Sequence, residues 1–302
     1  MPIDTRASRF ELSPIVAGLW RITEWQLDVR QRVRWIEQAL ELGITTFDHA
    51  DIYGDYRAES LFGDALKASP DLRGRMQLVT KCGIRLRSAQ KPYRINYYDT
   101  GATYIRAQVE QSLRNLHTEQ LDLVLIHRPD YLMDAAALAE TFTALTREGK
   151  VAHWGVSNHS TSQFALLHQH HPLITNQVEL SPLQLDALDD GTLDQAQQLG
   201  LRPMIWSPLA GGRLFTGEDE QARRVRDEMA SIAARHGISL TTLAFAWVLR
   251  HPSRPYPITG TGRIEGLRDA VAALNVQLDA EDWYAIWTAS KGHSVPRVCP
   301  HL

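Results

Sequence analysis

A carboxylate, a phenol, an amine and an imidazole stand where apolar, strand-like runs of this chain give out. Asp48 follows Thr45-Thr46-Phe47, with Tyr53 five residues further on. Lys81 follows Met76-Gln77-Leu78-Val79-Thr80, and His127 follows Leu121-Asp122-Leu123-Val124-Leu125-Ile126. A phenol has a pKa of about 10, so it donates a proton usefully near neutrality only where something stabilises its phenolate. An ammonium at Lys81 would do that through Coulomb attraction, Asp48 would keep the ammonium charged and oriented, and His127 would hydrogen-bond a substrate oxygen. The set describes a proton donor aimed at a carbonyl, which is half of a carbonyl reduction. The other half is a source of hydride.

Singly, each residue has a plainer reading. An Asp at a strand end often caps a helix or forms a turn, and a His before Arg128-Pro129 can be a satisfied loop residue. The four carry weight because one architecture would collect them. Eight apolar runs can be counted: Ile15–Leu19, Thr45–Phe47, Met76–Thr80, Leu121–Ile126, Val151–Val156, Ile174–Val178, Pro203–Trp206 and Tyr256–Thr259. Between them lie amphipathic stretches such as Arg30–Leu42, Tyr104–Leu116, Ala135–Arg147 and Glu220–His236, and Gly43, Gly149, Gly200 and Gly237 follow helical patterns where a left-handed C-cap favours glycine. Strand and helix in alternation predict a parallel α/β sheet. With no Pro/Ser-rich linker, residues 1–302 read as a single (β/α)8 TIM barrel, with extra helices before the last strand (Glu220–His236, then Leu240–Leu249) and at the C-terminus. In such a barrel the C-terminal strand ends meet at one mouth, so the four residues would meet too. Residues 85–101 show no clear period and read as a long βα loop over that mouth; Gly292–Leu302 reads as a surface tail.

Composition narrows the functional classes. Of 302 residues, 44% are hydrophobic and 22% charged, and the formal net charge is -3. That balance describes a globular protein and gives phosphate backbones no basic surface, so nucleic acid is not an expected partner. The first residues carry charge without a following apolar stretch, and no run is apolar for the length of a membrane span. A cytoplasmic protein is expected, with Cys82 and Cys299 as free thiols and the Asn158-His159-Ser160 sequon a chance match. His168, His170 and His171 cluster without carboxylate or Cys partners, so no metal is expected.

The segments around these residues resemble the aldo-keto reductase family. Phe47-Asp48-His49-Ala50-Asp51-Ile52-Tyr53-Gly54 is similar to its hallmark segment; Thr80-Lys81-Cys82-Gly83 and Leu123–Pro129 resemble its Lys and His segments. Gly149–Asn158 is similar to its fifth-strand signature and Asn176–Glu179 to its sixth, and the likeness runs in order from Gly18 to Leu274. Within the family the chain is most similar to a group of bacterial oxidoreductases.

The resemblance implies a nicotinamide cofactor bound at the barrel mouth, and no GxGxxG follows a strand here. Carried over by position, Ser157, Asn158 and Gln177 would hold the carboxamide and Trp206, where relatives more often have Tyr or Phe, would stack on the nicotinamide. Ser207, Leu209, Gly211 and Arg213 would hold the pyrophosphate, although on spacing alone those glycines read as a plain turn. Thr261, Arg263 and Arg268 fall in the segment similar to the adenosine site, and an Arg at a helix start favours a 2′-phosphate, hence NADPH. Asp269-Ala270 replaces the Glu-Asn pair with which many relatives read adenine.

His49 should point away from Asp48 by strand alternation and reads as structural, and Cys82 as packing. Pocket walls are expected from Trp20, Trp25, Tyr53, residues 85–101 and those after His127, with Arg21 and Arg128 either selecting an acidic group or lying as surface charge. The leading expectation is NADPH-dependent reduction of a small carbonyl compound. A regulatory subunit and a Schiff-base lysine enzyme are the other readings; oligomeric state is left open.

Overall fold

The computed structural model of the protein describes residues 10–295. All eight apolar runs overlap barrel strands: β1 (Val16–Gly18), β2 (Thr46–Asp48), β3 (Gln77–Cys82), β4 (Leu121–Ile126), β5 (Val151–Ser157), β6 (Asn176–Glu179), β7 (Met204–Trp206) and β8 (Tyr256–Thr259). Each pairs in parallel with its sequence neighbours, and β8 closes on β1 through Val16 opposite Ile258 and Ala17 opposite Thr259. Closure leaves no edge strand, so every backbone ladder is satisfied.

Alternation along the strands separates two cores. Val16, Val79, Leu123, Leu125, Met204, Tyr256 and Ile258 fill the barrel, and Leu12 and Phe10 plug it from below, Phe10 lying 4.2 Å from the His153 ring. Leu78, Cys82, Val124, Ile126, Trp154 and Val156 face outward against the helices. The barrel below the mouth is therefore packed solid, and chemistry is confined to its upper rim.

The longer helices are α1 (Val29–Glu41), α2 (Ala58–Ala68), α3 (Ala102–Asn115), α4 (Ala135–Arg147), α5 (Thr161–His168), α6 (Thr192–Leu199), α7 (Glu220–His236), α8 (Leu240–Leu249), α9 (Ile264–Ala272) and α10 (Ala280–Lys291). Several starts are capped by side chains: Asp28 and Gln31 form a reciprocal capping box on α1, and Asp134 accepts from Ala137 N–H on α4. α1 buries Trp35, Ile36, Ala39 and Leu40 along one face. All four glycines expected to end helices adopt left-handed φ, from 65° to 80°.

Residues 85–101 are not a featureless loop. Ile84–Arg85 and Tyr97–Tyr98 form an antiparallel ribbon held by Arg85, which bonds Asp99 (2.7 Å) and lies under the Tyr93, Tyr97 and Tyr104 rings. Two-residue strands carry no period, so only the folded contacts reveal them. Gly292, Ser294 and Val295 are exposed and His293 is half-buried with its ring edge-on to Trp287, while residues 296–302, Cys299 among them, lie outside the described residues. Among the described residues no single helix is long and apolar enough to cross a membrane.

Candidate active site

The barrel brings Asp48, Tyr53, Lys81 and His127 together. Lys81 and Asp48 point inward from β3 and β2, and their side chains are only 1% and 4% exposed. The ammonium lies 2.9 and 2.7 Å from the two Asp48 oxygens, 2.8 Å from the His49 carbonyl and 3.1 Å from the Tyr53 hydroxyl. Its three protons are thus shared among four acceptors. Because the Tyr53 oxygen accepts from Lys81, the phenol's own proton is directed elsewhere. The His127 ring meets the Tyr53 ring edge-on at 5.7 Å. His127 Nδ1 is buried without a partner, which leaves Nε2 as the nitrogen available to a ligand.

Tyr53 is set by a strained turn. Gly54, Asp55 and Tyr56 all have positive φ, and a Cβ at Gly54 would sit 2.4 Å from Thr23 Cγ2, so only glycine fits beneath the phenol. Tyr56 Oη fastens the turn by donating to the Leu86 carbonyl at 2.8 Å.

Protonation states follow from burial. Desolvation pushes the Tyr53 phenol above its ordinary value and outweighs the opposing pull of Lys81. The lowering expected from Lys81 is present but smaller than the effect of burial. Desolvation alone would lower the Lys81 ammonium, but Asp48 and Tyr53 more than compensate and leave it raised. Burial, then Lys81 and Arg128, hold the His127 imidazole well below its usual range. At neutral pH the cluster therefore holds a protonated phenol, a charged amine and a neutral imidazole: an acid whose conjugate base is met by a cation as it forms.

A second set of side chains continues from this cluster along β5, β6 and β7. Gln177 donates to Asp48 Oδ1 at 3.0 Å; Ser157 Oγ donates to the Gln177 carbonyl at 2.9 Å; Asn158 Nδ2 donates to Ser157 Oγ at 2.7 Å; Trp206 Nε1 donates to Asn158 Oδ1 at 3.0 Å. Arg128 lies 5.8 Å from the Trp206 ring centroid. Past β7, Ser207, Ala210, Gly211 and Gly212 take positive φ in a tight loop around Leu209, and Arg21 reaches across from β1 to the Gly211 carbonyl at 3.2 Å.

Three of the expected site residues make contacts within the chain that sequence alone does not show. Arg213 turns to Asp219, at 2.7 and 3.0 Å, and to Gln221, so its guanidinium is already paired. Trp25 is half-buried: its ring packs on Trp35 at 4.8 Å and lies under Gly262, where a Cβ would meet it at 2.7 Å. It supports the turn carrying Thr261 and Arg263. Arg268 is exposed and lies 3.9 Å from Glu265. Arg263, exposed, occupies the N-cap position of α9, and its backbone N–H donates to Thr261 Oγ1 at 3.1 Å. His49 faces outward, its ring edge-on to Phe62 of α2 at 4.6 Å, and Cys82 is likewise buried outside the barrel.

The sequence reading missed the residues behind Lys81. Glu59 on α2 accepts from Thr80 at 2.6 Å and from Asn115 at 3.0 Å, and Asp51 is buried with neither carboxyl oxygen bonded. Thr80 faces outward by strand alternation, which was the available signal. Also missed was Asp130, which accepts from Thr100 Oγ1 at 2.8 Å and ties the loop after β4 to the base of the ribbon.

A closed parallel eight-strand barrel with this cluster at its mouth defines a class, and sequence comparison agrees: the profile of the Aldo/keto reductase family matches residues 14–291. The chain belongs to that family of oxidoreductases. It is 50% identical over 289 residues to oxidoreductase YdhF of Escherichia coli (strain K12), spanning 95% of this chain and 96% of the relative. It is 41% identical over 293 residues to a 6-dehydroglucose reductase of Agrobacterium fabrum, spanning 96% of this chain and 98% of that one. Among solved structures it resembles an aldo/keto reductase from Klebsiella pneumoniae in complex with NADP and acetate, with a TM-score of 0.76, 27% identity, and coverage of 95% of this chain and 93% of the other.

Proposed function

We propose that the chain reduces an aldehyde or ketone to an alcohol using NADPH, with Tyr53 as proton donor. The observation that carries this reading is the Lys81 ammonium, bonded at once to Asp48 at 2.7 Å and to Tyr53 at 3.1 Å in a site of 1–4% exposure. An ammonium so placed favours the phenolate most when the mouth is closed to water.

The residues around the mouth fit a dinucleotide. Gln177 Oε1 makes no hydrogen bond among the described residues, Trp206 offers a half-buried aromatic face, and Arg263 stands at a helix start without an ion-pair partner among those residues. Gln177 and Asn158 would bind the carboxamide, Trp206 the nicotinamide face, the backbone of Ser207, Leu209 and Gly211 the pyrophosphate, and Arg263, with Thr261 and Arg268 beside it, a 2′-phosphate. NADPH supplies the hydride when bound. The chain's own part is to orient the carbonyl oxygen between Tyr53 Oη and His127 and to release the Tyr53 proton to it as negative charge develops there. Lys81 stabilises the phenolate left behind, and Asp48 keeps Lys81 charged.

For the substrate, the 6-dehydroglucose reductase relative supports a small, hydroxyl-bearing aldehyde. The rim agrees: Trp20 is exposed with Arg21 stacked on it at 5.1 Å, and Arg128 stands beside His127, giving an aromatic face and two multi-donor cations suited to hydroxyl oxygens. The test is Tyr53→Phe assayed against activated aromatic aldehydes and sugar-like aldehydes. Turnover is expected to fall at least about 100-fold while NADPH binding, followed by tryptophan fluorescence, is retained. Undiminished turnover in the variant would refute the proton role.

A further inference from the structure

Polar contacts run from Trp206 to the Gln177 backbone and from the Gln177 side chain to Tyr53, and Gln177 itself joins the two sets. On the cofactor side the path is Trp206 Nε1 to Asn158 Oδ1, Asn158 Nδ2 to Ser157 Oγ, and Ser157 Oγ to the Gln177 carbonyl, at 3.0, 2.7 and 2.9 Å. On the acid–base side it is Gln177 Nε2 to Asp48 Oδ1 at 3.0 Å, then Lys81 to Asp48 and to Tyr53. Among the described residues Asp48 meets the first set through the Gln177 side chain alone, and both groups are buried, Gln177 being 2% and Asp48 3% exposed.

The orientation of the Gln177 amide is dictated by its neighbours. A carboxylate can only accept, so the amide nitrogen must face Asp48. The same nitrogen also lies 3.6 Å from Met204 Sδ, a weak acceptor. Both N–H groups are thus turned inward, and Oε1 is the atom left for a ligand.

We propose that Gln177 is a positioning residue for the proton donor: by donating to Asp48 it sets how the Asp48–Lys81 pair addresses Tyr53, so that the nicotinamide site and the acid are one connected unit. The proposal rests on the reductase reading above and extends it, since a carboxamide contact alone would not require any link to Asp48. Its physical content is a division of charge. Asp48 raises the Tyr53 phenol and Lys81 lowers it. A donor on Asp48 Oδ1 takes up part of the carboxylate charge, which weakens the first influence and frees Lys81 to share its protons with Tyr53. The other groups facing Tyr53 are His127, which is neutral, and Arg128, which also lowers the phenol. Neither contacts Gln177.

The experiment uses the cofactor-free full chain with a fluorinated tyrosine at position 53, which brings the phenol into a range where the protein stays folded, and follows its titration by fluorine NMR. Gln177→Met keeps the bulk and removes the donor; Gln177→Leu removes the donor with a stiffer apolar side chain, and serves if the Met variant does not fold. In both, the Tyr53 midpoint is expected to rise by about one unit, a tenfold change in its ionisation equilibrium. In otherwise native chains, kcat is expected to fall by a similar factor, separately from any rise in the NADPH dissociation constant. A Tyr53 midpoint identical to that of the parent chain, with only NADPH affinity reduced, would make Gln177 a simple ligand contact and overturn the proposal. The titration needs neither substrate nor turnover, so its failure is distinct from that of the reductase reading, which Tyr53→Phe tests.

Discussion

At the scale of single residues, the site separates groups that must stay charged from groups that must not. Lys81 keeps its proton because Asp48 is bound to it, His127 loses its own because nothing opposes burial, and Tyr53 keeps its own because burial outweighs the ammonium. Asp51, behind Lys81, is the residue that bears an uncompensated cost. Burial pushes its carboxyl well above the ordinary value and Glu59 adds to this; its oxygens have no bonded partner. The folded state therefore holds a proton on Asp51 in a pH range where the unfolded chain has released it, so this group makes stability fall as pH rises above about 4. Asp51→Asn, always neutral, removes that dependence. In urea unfolding the variant should gain about 1 kcal/mol or more over the parent at pH 8 relative to pH 4.5. A pH-independent difference between the two proteins would mean that Asp51 is ionised when folded and the cost lies elsewhere.

At the scale of elements, the sequence made the strands and most helix limits legible because they rest on local pattern. Ala135–Arg147, Glu220–His236 and Leu240–Leu249 run in the structure between the limits their periodicity gives. The Asp48, Tyr53, Lys81 and His127 cluster was legible for a related reason: a strand end is a local signal, and barrel closure brings the ends of β2, β3 and β4, with the turn after β2 that carries Tyr53, into one place. What stayed hidden depends on contacts between distant segments. The ribbon at residues 84–98 is held by Arg85 under three tyrosines, Trp25 packs on Trp35 under Gly262, and Glu59 finds Thr80 and Asn115 from another helix. Gly63 is another such contact. It lies in the middle of α2, where glycine is unfavourable by local propensity, yet a Cβ there would sit 1.8 Å from the Asn115 carbonyl and 3.1 Å from Leu116 Cα at the end of α3. Gly63→Ala should therefore destabilise by about 3 kcal/mol, at the upper end of overpacking costs, despite alanine's better helix propensity. Because α2 also presents Glu59 to Thr80 beside Lys81, activity near the melting range should fall with it. A variant as stable as the parent in thermal unfolding would mean that the two helices part without cost.

At the scale of the whole molecule, the packed barrel below the mouth leaves ligand binding to loops that join distant strands. Arg21 ties the loop after β1 to that after β7, and Trp25, from the same β1 loop, supports the turn after β8 that carries Arg263. A ligand spanning these loops links them in the native state alone, so it should raise the melting temperature through mass action, by about 2.7 kcal/mol of stability at a hundredfold excess over its dissociation constant. This gives the cofactor preference a readout that does not depend on the substrate. If Arg263 pairs with a 2′-phosphate, NADPH should raise the melting temperature more than NADH at equal concentration, because only NADPH carries that group. In Arg263→Ala the advantage of NADPH should shrink by about 1 to 2 kcal/mol, the range of a charge-assisted pair in a partly exposed site, while the small NADH shift is unchanged. Arg268 is already engaged with Glu265 at 3.9 Å and is the weaker candidate, so Arg268→Ala should cost less. Equal shifts from the two cofactors in the parent chain would remove the 2′-phosphate from the account of Arg263, leaving the proposed Tyr53 and Lys81 chemistry untouched, since that chemistry does not involve Arg263.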